Sequence, residues 1–370
     1  MVMYEELIYQ IALTLVPNIG SVQARILLEH FECAGDIFKA SIKKLETIEG
    51  IGHIRAKSIT SFNGFARAEQ EVAFIQKHQI QPLFFKNDNY PQRLKHCYDA
   101  PPLLFYKGNT LLNDARIISI VGTRSPTSYG EWATQNIITQ LAPHNVMIIS
   151  GLAYGIDALA HKTALQQGLS TIGVLAHGLD RIYPTQHKSL AKDMLQQGGL
   201  LTDFMSGTQP DKQNFPKRNR IVAGLCDAVI VIETAAKGGS IITADLAFQY
   251  NRDVWAVPGR MNDVKSAGCL QLLKNQKAMP FISVDDMVVE MGWNTSGKIK
   301  KQAMQCSLFT DASPEEQNIF TLLQEKASTH VDELFLRSGL SNSSIAATLL
   351  QLEFKGVIES LPGKRYKIML

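Results

Sequence analysis

Five stretches of this chain place glycine at or just past the end of an apolar run. They are Val121-Gly122-Thr123-Arg124-Ser125, Ser150-Gly151-Leu152-Ala153-Tyr154-Gly155, Ala176-His177-Gly178, Lys237-Gly238-Gly239-Ser240 and Val257-Pro258-Gly259-Arg260. Glycine lets a backbone come close to an anion, and a helix opening behind it supplies free N–H groups and the positive end of a dipole. One such loop is weak evidence, because strand-to-helix turns often contain glycine. Five of them, if strands bring them to one edge, make a phosphate-binding surface the better reading.

Cations complete that surface. Arg124 follows the first loop, and Lys212, Lys217, Arg218 and Arg220 cluster in Asp211–Arg220 just before a helical pattern. Lys212 reads as a solvated charge. Arg218, Asn219 and Arg220 read as phosphate ligands beside the loops, together with Gly122, Thr123, Arg124, Ser150, Gly151, Gly155, Lys217, Gly239 and Ser240. Phe215 and Tyr154 offer faces on which an unpaired base can stack, although taken singly each fits loop packing better.

Other chemistries fail on their residues. Gly292–Lys298 fits GxxxxGK, but Ile299 stands where Mg²⁺ needs Ser or Thr, and no strand leads into it. No GxGxxG follows the first strand, so a dinucleotide fingerprint is missing. Asp157 and His161 lie four apart on one helix face with no third ligand, and read better as a hydrogen-bonded pair fixing a loop than as a metal site. His177 shows no partner, and no Gly-x-Ser-x-Gly elbow is present. Neither a catalytic residue nor a cofactor or metal is expected.

The elements that must position these loops are legible from periodicity. Arg116–Val121, Val146–Ser150, Thr171–Ala176, Leu200–Asp203, Ala228–Glu233 and Asp253–Val257 are apolar runs separated by helical stretches. That alternation predicts βαβ units and a mostly parallel sheet with helices on both faces, an α/β, Rossmann-like domain over 81–293. Residues 1–80 are helical and hold Val16-Pro17-Asn18-Ile19-Gly20 and Ile48-Glu49-Gly50-Ile51-Gly52. Each precedes a helix, which fits a helix-hairpin-helix (SAM-like) domain that binds phosphate, or simply tight turns that need glycine. Residues 294–313 read as a linker. Residues 314–370 predict three helices and a hairpin around Pro362-Gly363-Lys364-Arg365, the order of a winged helix.

Composition narrows the classes. The formal net charge is only +3, so a bulk polycation that coats nucleic acid is excluded. Residues 1–80 carry eight Lys/Arg against nine Asp/Glu, and 313–370 carry six against seven, so the positive excess lies in the middle part. The five cysteines are scattered with no CxxC, as expected for reduced thiols in the cytoplasm. No apolar run is long enough to span a membrane, and the first ten residues do not read as a signal peptide.

Taken together, longer motifs resemble one family. Ala100–Gly108, Ile120–Arg124, Ser128-Tyr129-Gly130, Ser150–His161, Thr171–Pro184, Phe215–Leu225, Gly238–Ala247 and Val254–Gly259 are similar to the DNA-processing protein A (DprA/Smf) family across the whole middle part. The resemblance implies a non-catalytic homodimer that binds single-stranded DNA entering in natural transformation. It would protect that strand and load the RecA recombinase onto it, displacing single-strand-binding protein. It also implies DNA contacts at Gly122-Thr123-Arg124, Ser150-Gly151 and Lys217–Arg220. The chain departs from the pattern at Tyr154, where many members carry Arg, and at Leu270, where Asn is usual. The competing reading is a nucleoside-monophosphate phosphoribohydrolase. Gly238–Ala244 begins like that family's motif, but Asp245 follows and no Glu is in register.

Overall fold

Strands buried on both faces are apolar at nearly every position, and alternate side chains then feed two separate cores. In the computed structural model this is what the middle of the chain does. The structure describes residues 2–113, 116–293 and 313–370, apart from 325, 327, 356, 362–364 and 369–370. The proposed linker, the GxxxxGK match beyond Trp293, Cys306 and most of the hairpin turn lie outside the described residues.

Nine strands form one sheet: β1 (Gln81–Phe84), β2 (Leu103–Gly108), β3 (Arg116–Val121), β4 (Val146–Ser150), β5 (Thr171–Val174), β6 (Gly198–Thr202), β7 (Ala228–Val231), β8 (Asp253–Ala256) and β9 (Met279–Pro280). Their order is β1-β2-β6-β5-β4-β3-β7-β8-β9. From β6 to β9 every pairing is parallel; β2 joins β6 and β1 joins β2 antiparallel. The six anticipated strands are all present. Two of them stop two residues early and two stop one early, because Leu175-Ala176, Ile232-Glu233, Asp203 and Val257 already belong to the carboxyl-edge loops. The β1–β2 pair and β9 add to the expected sheet.

Fourteen helices accompany this sheet. Six precede it: α1 (Val2–Leu15), α2 (Ser21–His30), α3 (Ala34–Lys39), α4 (Ile42–Glu46), α5 (His53–Thr60) and α6 (Phe65–Lys77). Within it lie α7 (Gln92–Lys95), α8 (Ser128–Leu141), α9 (Ile156–Gln166), α10 (Lys188–Met194), α11 (Asn214–Gly224), α12 (Gly239–Gln249), α13 (Ala267–Lys274) and α14 (Val284–Glu290). Ile118, Ile120, Ile148 and Ile230 pack on one face against α8, α9 and α14. Ile117, Val121, Ile149 and Val229 point the other way, into a core shared with α11, α12 and the six leading helices. That shared core makes residues 1–293 one compact unit.

Gly20 and Gly52 open α2 and α5, as the repeated hairpins require. Arg55 ties the two hairpins, its guanidinium donating to the carbonyls of Asn18 (3.3 Å) and Gly50 (2.7 Å). A buried carboxylate fastens the helical part to the sheet. Glu71 on α6 accepts from the Ser206 N–H (2.9 Å), the Ser206 hydroxyl (2.5 Å) and Arg67 (2.8 Å).

Residues of the second unit form a winged helix: α15 (Pro314–Gln324), β10 (Thr329–His330), α16 (Val331–Ser338), α17 (Asn342–Phe354), β11 (Ile358–Leu361) and β12 (Arg365–Ile368). Ser313 and Glu316 close a capping box on α15, each accepting from the other's backbone N–H.

The Glu71 seam gives a test. Glu71→Ala leaves the Ser206 N–H without its acceptor and removes the ion-pair partner of Arg67, which keeps the Ser206 carbonyl (2.6 Å), and the expected loss is about 1–3 kcal/mol of stability. Denaturant unfolding monitored over residues 1–293 measures it; an unchanged midpoint would show that the seam is held elsewhere.

Candidate nucleic-acid interface

From β3 the chain steps outward through β4, β5 and β6, then returns to start β7 on β3's other side. The crevice where the order reverses lies outside the carboxyl ends of β3 and β7, the place where open α/β sheets take ligands. A cavity of about 370 Å³ opens there. Its walls come from four of the sequence-derived segments. Gly122, Thr123 and Arg124 follow β3, Gly151 and Asp157 flank the turn into α9, Phe215, Arg218 and Asn219 come from α11, and Gly239 and Ser240 from the first turn of α12.

Backbone close approach builds the first wall. Gly155 has φ +76° and sits directly against the Thr123 carbonyl and the Arg124 backbone, where any side chain would collide. The Ile156 N–H then donates to the Thr123 carbonyl (3.1 Å), locking the two loops together. Gly151 is equally constrained, since a Cβ there would meet the Asp157 carboxylate and the Arg218 guanidinium. Gly155 thus shapes the site without lining the cleft.

The charges are unevenly satisfied. Arg124 is exposed, its guanidinium 5.5 Å from the centre of the Phe215 ring, and no ion pair holds it among the described residues. Arg218 is buried, bonded through Nη1 to the Val174 carbonyl and through Nε to Asn219 Oδ1 (3.2 Å). Burial lowers its pKa against the opposing pull of Asp157, and Arg124 lowers it further. Asp157, whose Oδ2 accepts from the Ala153 N–H (3.3 Å), is held above the usual carboxylate range by burial, with Arg218 opposing. Two guanidiniums therefore face one cleft with a single carboxylate between them, and an added anion relieves their repulsion.

Asp157 and His161 do not bond one another as expected; each grips the Ser150–Gly155 loop separately. His161 Nε2 donates to the Gly151 carbonyl (2.5 Å) and Nδ1 lies 2.6 Å from Thr171 Oγ1. Burial pushes the imidazole down to about 4. His177 has a partner as well, with Nδ1 2.9 Å from the Gly178 carbonyl.

Several anticipated contacts fall elsewhere. Ser150 is buried, its hydroxyl donating to the Ile120 carbonyl (2.6 Å), so it ties strand ends rather than facing the cleft. Lys217 is exposed and does not line the cavity. Arg220 pairs with Asp203 (2.8 Å) and donates to Ser21 and the Asp99 carbonyl, which commits it to the junction with the helical part. Consecutive residues on a helix diverge by about 100°, so the run Lys217-Arg218-Asn219-Arg220 cannot present every side chain to one ligand. The cavity also includes Thr234, Ala235, Ile242 and Thr243. Thr234 and Ala235 had a signal in the sequence, since they directly follow the apolar β7 run. Tyr154 points its hydroxyl at Gln186 (2.7 Å) and stands exposed at the rim.

A family model for DNA recombination-mediator protein A matches residues 81–292. The chain belongs to the DprA/Smf family. A DprA winged helix domain matches residues 310–364, and a helix-hairpin-helix motif matches 11–71. Protein Smf of Synechocystis sp. is 32% identical over 97% of this chain and 98% of its own length. The crystal structure of DNA processing protein A from Streptococcus pneumoniae superposes with TM-score 0.67 at 34% identity, over 76% of this chain and 97% of that one. A Helicobacter pylori structure, described by its single-stranded DNA binding mode, gives TM-score 0.52 at 31% identity over 58% of this chain and 95% of that one. Membership places the chain among DNA-processing proteins. Among the described residues no helix is long and apolar enough to cross a membrane, and no three His, Cys, Asp or Glu side chains gather as metal ligands.

The His161 environment makes a pH prediction. Its folded pKa lies below the unfolded value, so the unfolded chain takes up a proton first as pH falls. Stability contributed by neutral His161 is complete above about pH 6.5 and declines toward about pH 4, by roughly 2–3 kcal/mol. His161→Gln should flatten that part of a stability-versus-pH curve by close to one proton; an unaltered slope would contradict the assignment.

Proposed function

We propose that the switch-point cleft binds the sugar-phosphate backbone of single-stranded DNA, with Gly122, Thr123, Gly151, Gly239 and Ser240 supplying close backbone approach. Arg124 and Arg218 supply the charge. The observation that carries this reading is Arg124, an exposed guanidinium with no carboxylate partner, standing at a glycine-lined crevice beside a second, buried guanidinium. Phe215 under Arg124 and Tyr154 at the rim favour unpaired bases over duplex. The H. pylori relative, named for binding single-stranded DNA, supports it.

The winged helix contributes little to this affinity. Its α17 occupies the position that reads the major groove in helix-turn-helix proteins, yet Asn342–Phe354 contains no Lys or Arg. Family membership supports the wider role: a cytoplasmic, non-catalytic homodimer that protects incoming DNA in natural transformation and loads RecA in place of single-strand-binding protein. The phosphoribohydrolase alternative has no structural support of its own, because Asp245 pairs with Lys277 (2.7 Å) and does not line the cleft.

Arg124→Ala should weaken binding to an unstructured oligonucleotide by about 1–3 kcal/mol. It should also reduce the slope of log K against log salt by about 0.7, the share of one single-strand phosphate contact. Arg124→Lys keeps the charge but not the forked geometry, and should fall between. Titrations at several salt concentrations, alongside melting curves, decide it. Unchanged affinity and slope in a folded variant remove Arg124 from the interface.

Deleting Pro314–Leu370 should leave most single-strand affinity in place. A folded truncation that no longer shifts an oligonucleotide in a gel would make the winged helix the reader instead.

A further inference from the structure

Large aromatic side chains on a monomer's surface have water on faces that would be more stable covered, so an ordered pair of them calls for an explanation. Tyr129 and Trp132, one turn apart near the start of α8, are 45% and 58% exposed. Their rings are stacked, with centroids 5.9 Å apart and planes inclined by 27°. The Tyr129 hydroxyl donates to the Pro258 carbonyl (3.2 Å), which fixes its ring without covering it. Neither ring belongs to the cores on either side of the sheet.

The surroundings are those of the cleft's own edge. Pro258 opens the loop that follows β8, one of the glycine loops at the carboxyl end of the sheet. That loop also presents Arg260, which is exposed, and Lys265, whose Nζ donates to the Ser125 carbonyl (2.5 Å), the residue after Arg124. Asp263, the acid of this loop, already accepts from the Lys265 N–H (2.9 Å) and from Ser266 (3.3 Å). Glu131, the acid on the same turn of α8, lines a groove that Arg124, Ser125 and Lys162 also line. Cations and stacked aromatics thus continue from Arg124 onto α8, with Asp263 engaged inside its own loop.

We propose that Tyr129 and Trp132 form a base-stacking platform on which a single strand anchored at Arg124 continues out of the cleft, with Lys265 and Arg260 beside its phosphates. Bases of any identity stack on such a surface, because every base has a π-face, and ring order fixed in advance lowers the entropic cost of stacking. The inference rests on the cleft reading above, and it adds a second contact region that only a strand longer than the cleft can reach.

Tryptophan fluorescence of the full chain tests it. Trp255 is buried and Trp293 is partly buried under Arg116, so Trp132 is the strongly exposed indole, and Trp132→Phe isolates its signal. Oligothymidylates of about 4 and about 20 nucleotides serve as probes. The long strand should quench Trp132 and the short one should not. Trp132→Ala should weaken the long strand roughly tenfold while leaving the short one unchanged, and Trp132→Phe should restore most of the loss. An unmoved Trp132 signal at saturation, with equal affinities for wild type and Trp132→Ala at both lengths, overturns the platform. So does a change in sedimentation of DNA-free Trp132→Ala with DNA binding intact, which would assign the rings to a protein contact. Failure of the cleft reading looks different: neither length responds to Arg124→Ala, and the proposal falls with its anchor.

Discussion

Arg218 is the residue on which the cleft is organised. A guanidinium under the carboxyl edge of the sheet loses most of its hydration, and no full ion pair compensates it. What it has are the Val174 carbonyl and the Asn219 side-chain oxygen, with Asp157 close enough to oppose the cost of burial. That arrangement dictates its neighbours. Gly151 must lack a side chain because the guanidinium and the Asp157 carboxylate occupy the space. His161 stays neutral chiefly because it is fully buried, and the Arg218 charge adds a little to the same effect. Arg124 is then left on the outside, repelled by Arg218, drawn only at longer range by Asp157 and in no ion pair among the described residues, which favours binding an anion.

The parallel part of this architecture was legible because double burial leaves a plain mark. Strands such as Arg116–Val121 and Ala228–Val231 have no polar alternation to confuse with a helix, and the glycines at their ends announce the ligand edge. The antiparallel pair β1–β2 was less visible. Leu103–Tyr106 is equally apolar, but nothing in a run of six residues tells which strand it will join, and β1 is only four residues long. Arg220 went astray for a geometric reason. A basic cluster looks like one patch when written in a line, whereas helix α11 sends it toward the cleft, the solvent and the helical unit in turn. Ser150 illustrates the same limit for strands: its polar side chain sits at the ligand edge in sequence but alternates inward, where a carbonyl already claims it.

Charge is distributed to match this division of labour. The six leading helices share a core with the sheet, and their seam is closed by Glu71, Arg67 and Arg220, ion pairs that consume cations otherwise free to meet DNA. The winged helix spends its charges within itself, on pairs such as Lys355 with Glu316 and Lys326 with Glu333. The Lys355 bond holds the Glu316 carboxyl below its ordinary range, which marks that pair as structural. At the carboxyl edge of the sheet, Arg124 and Arg260 are exposed and enter no ion pair among the described residues. A chain of net charge +3 can therefore meet single-stranded DNA without general polycationic character.

This placement also bears on why the interface would discriminate against duplex. A groove reader needs a protruding helix whose side chains reach base edges, and α17 carries no Lys or Arg to pair with phosphates and strengthen its hold. The cleft presents the opposite shape. Its donors are recessed between loops that a narrow, flexible backbone can enter, while the exposed Tyr154 and Phe215, whose ring carries the Arg124 guanidinium on one face, stand beside the opening. A duplex keeps its bases stacked on one another and holds its phosphates on a stiff cylinder, so it could reach the cations only by leaving the rings unused. On the proposed reading, selectivity would arise from shape and from which faces of the nucleic acid are free, with no need for a residue that reads sequence.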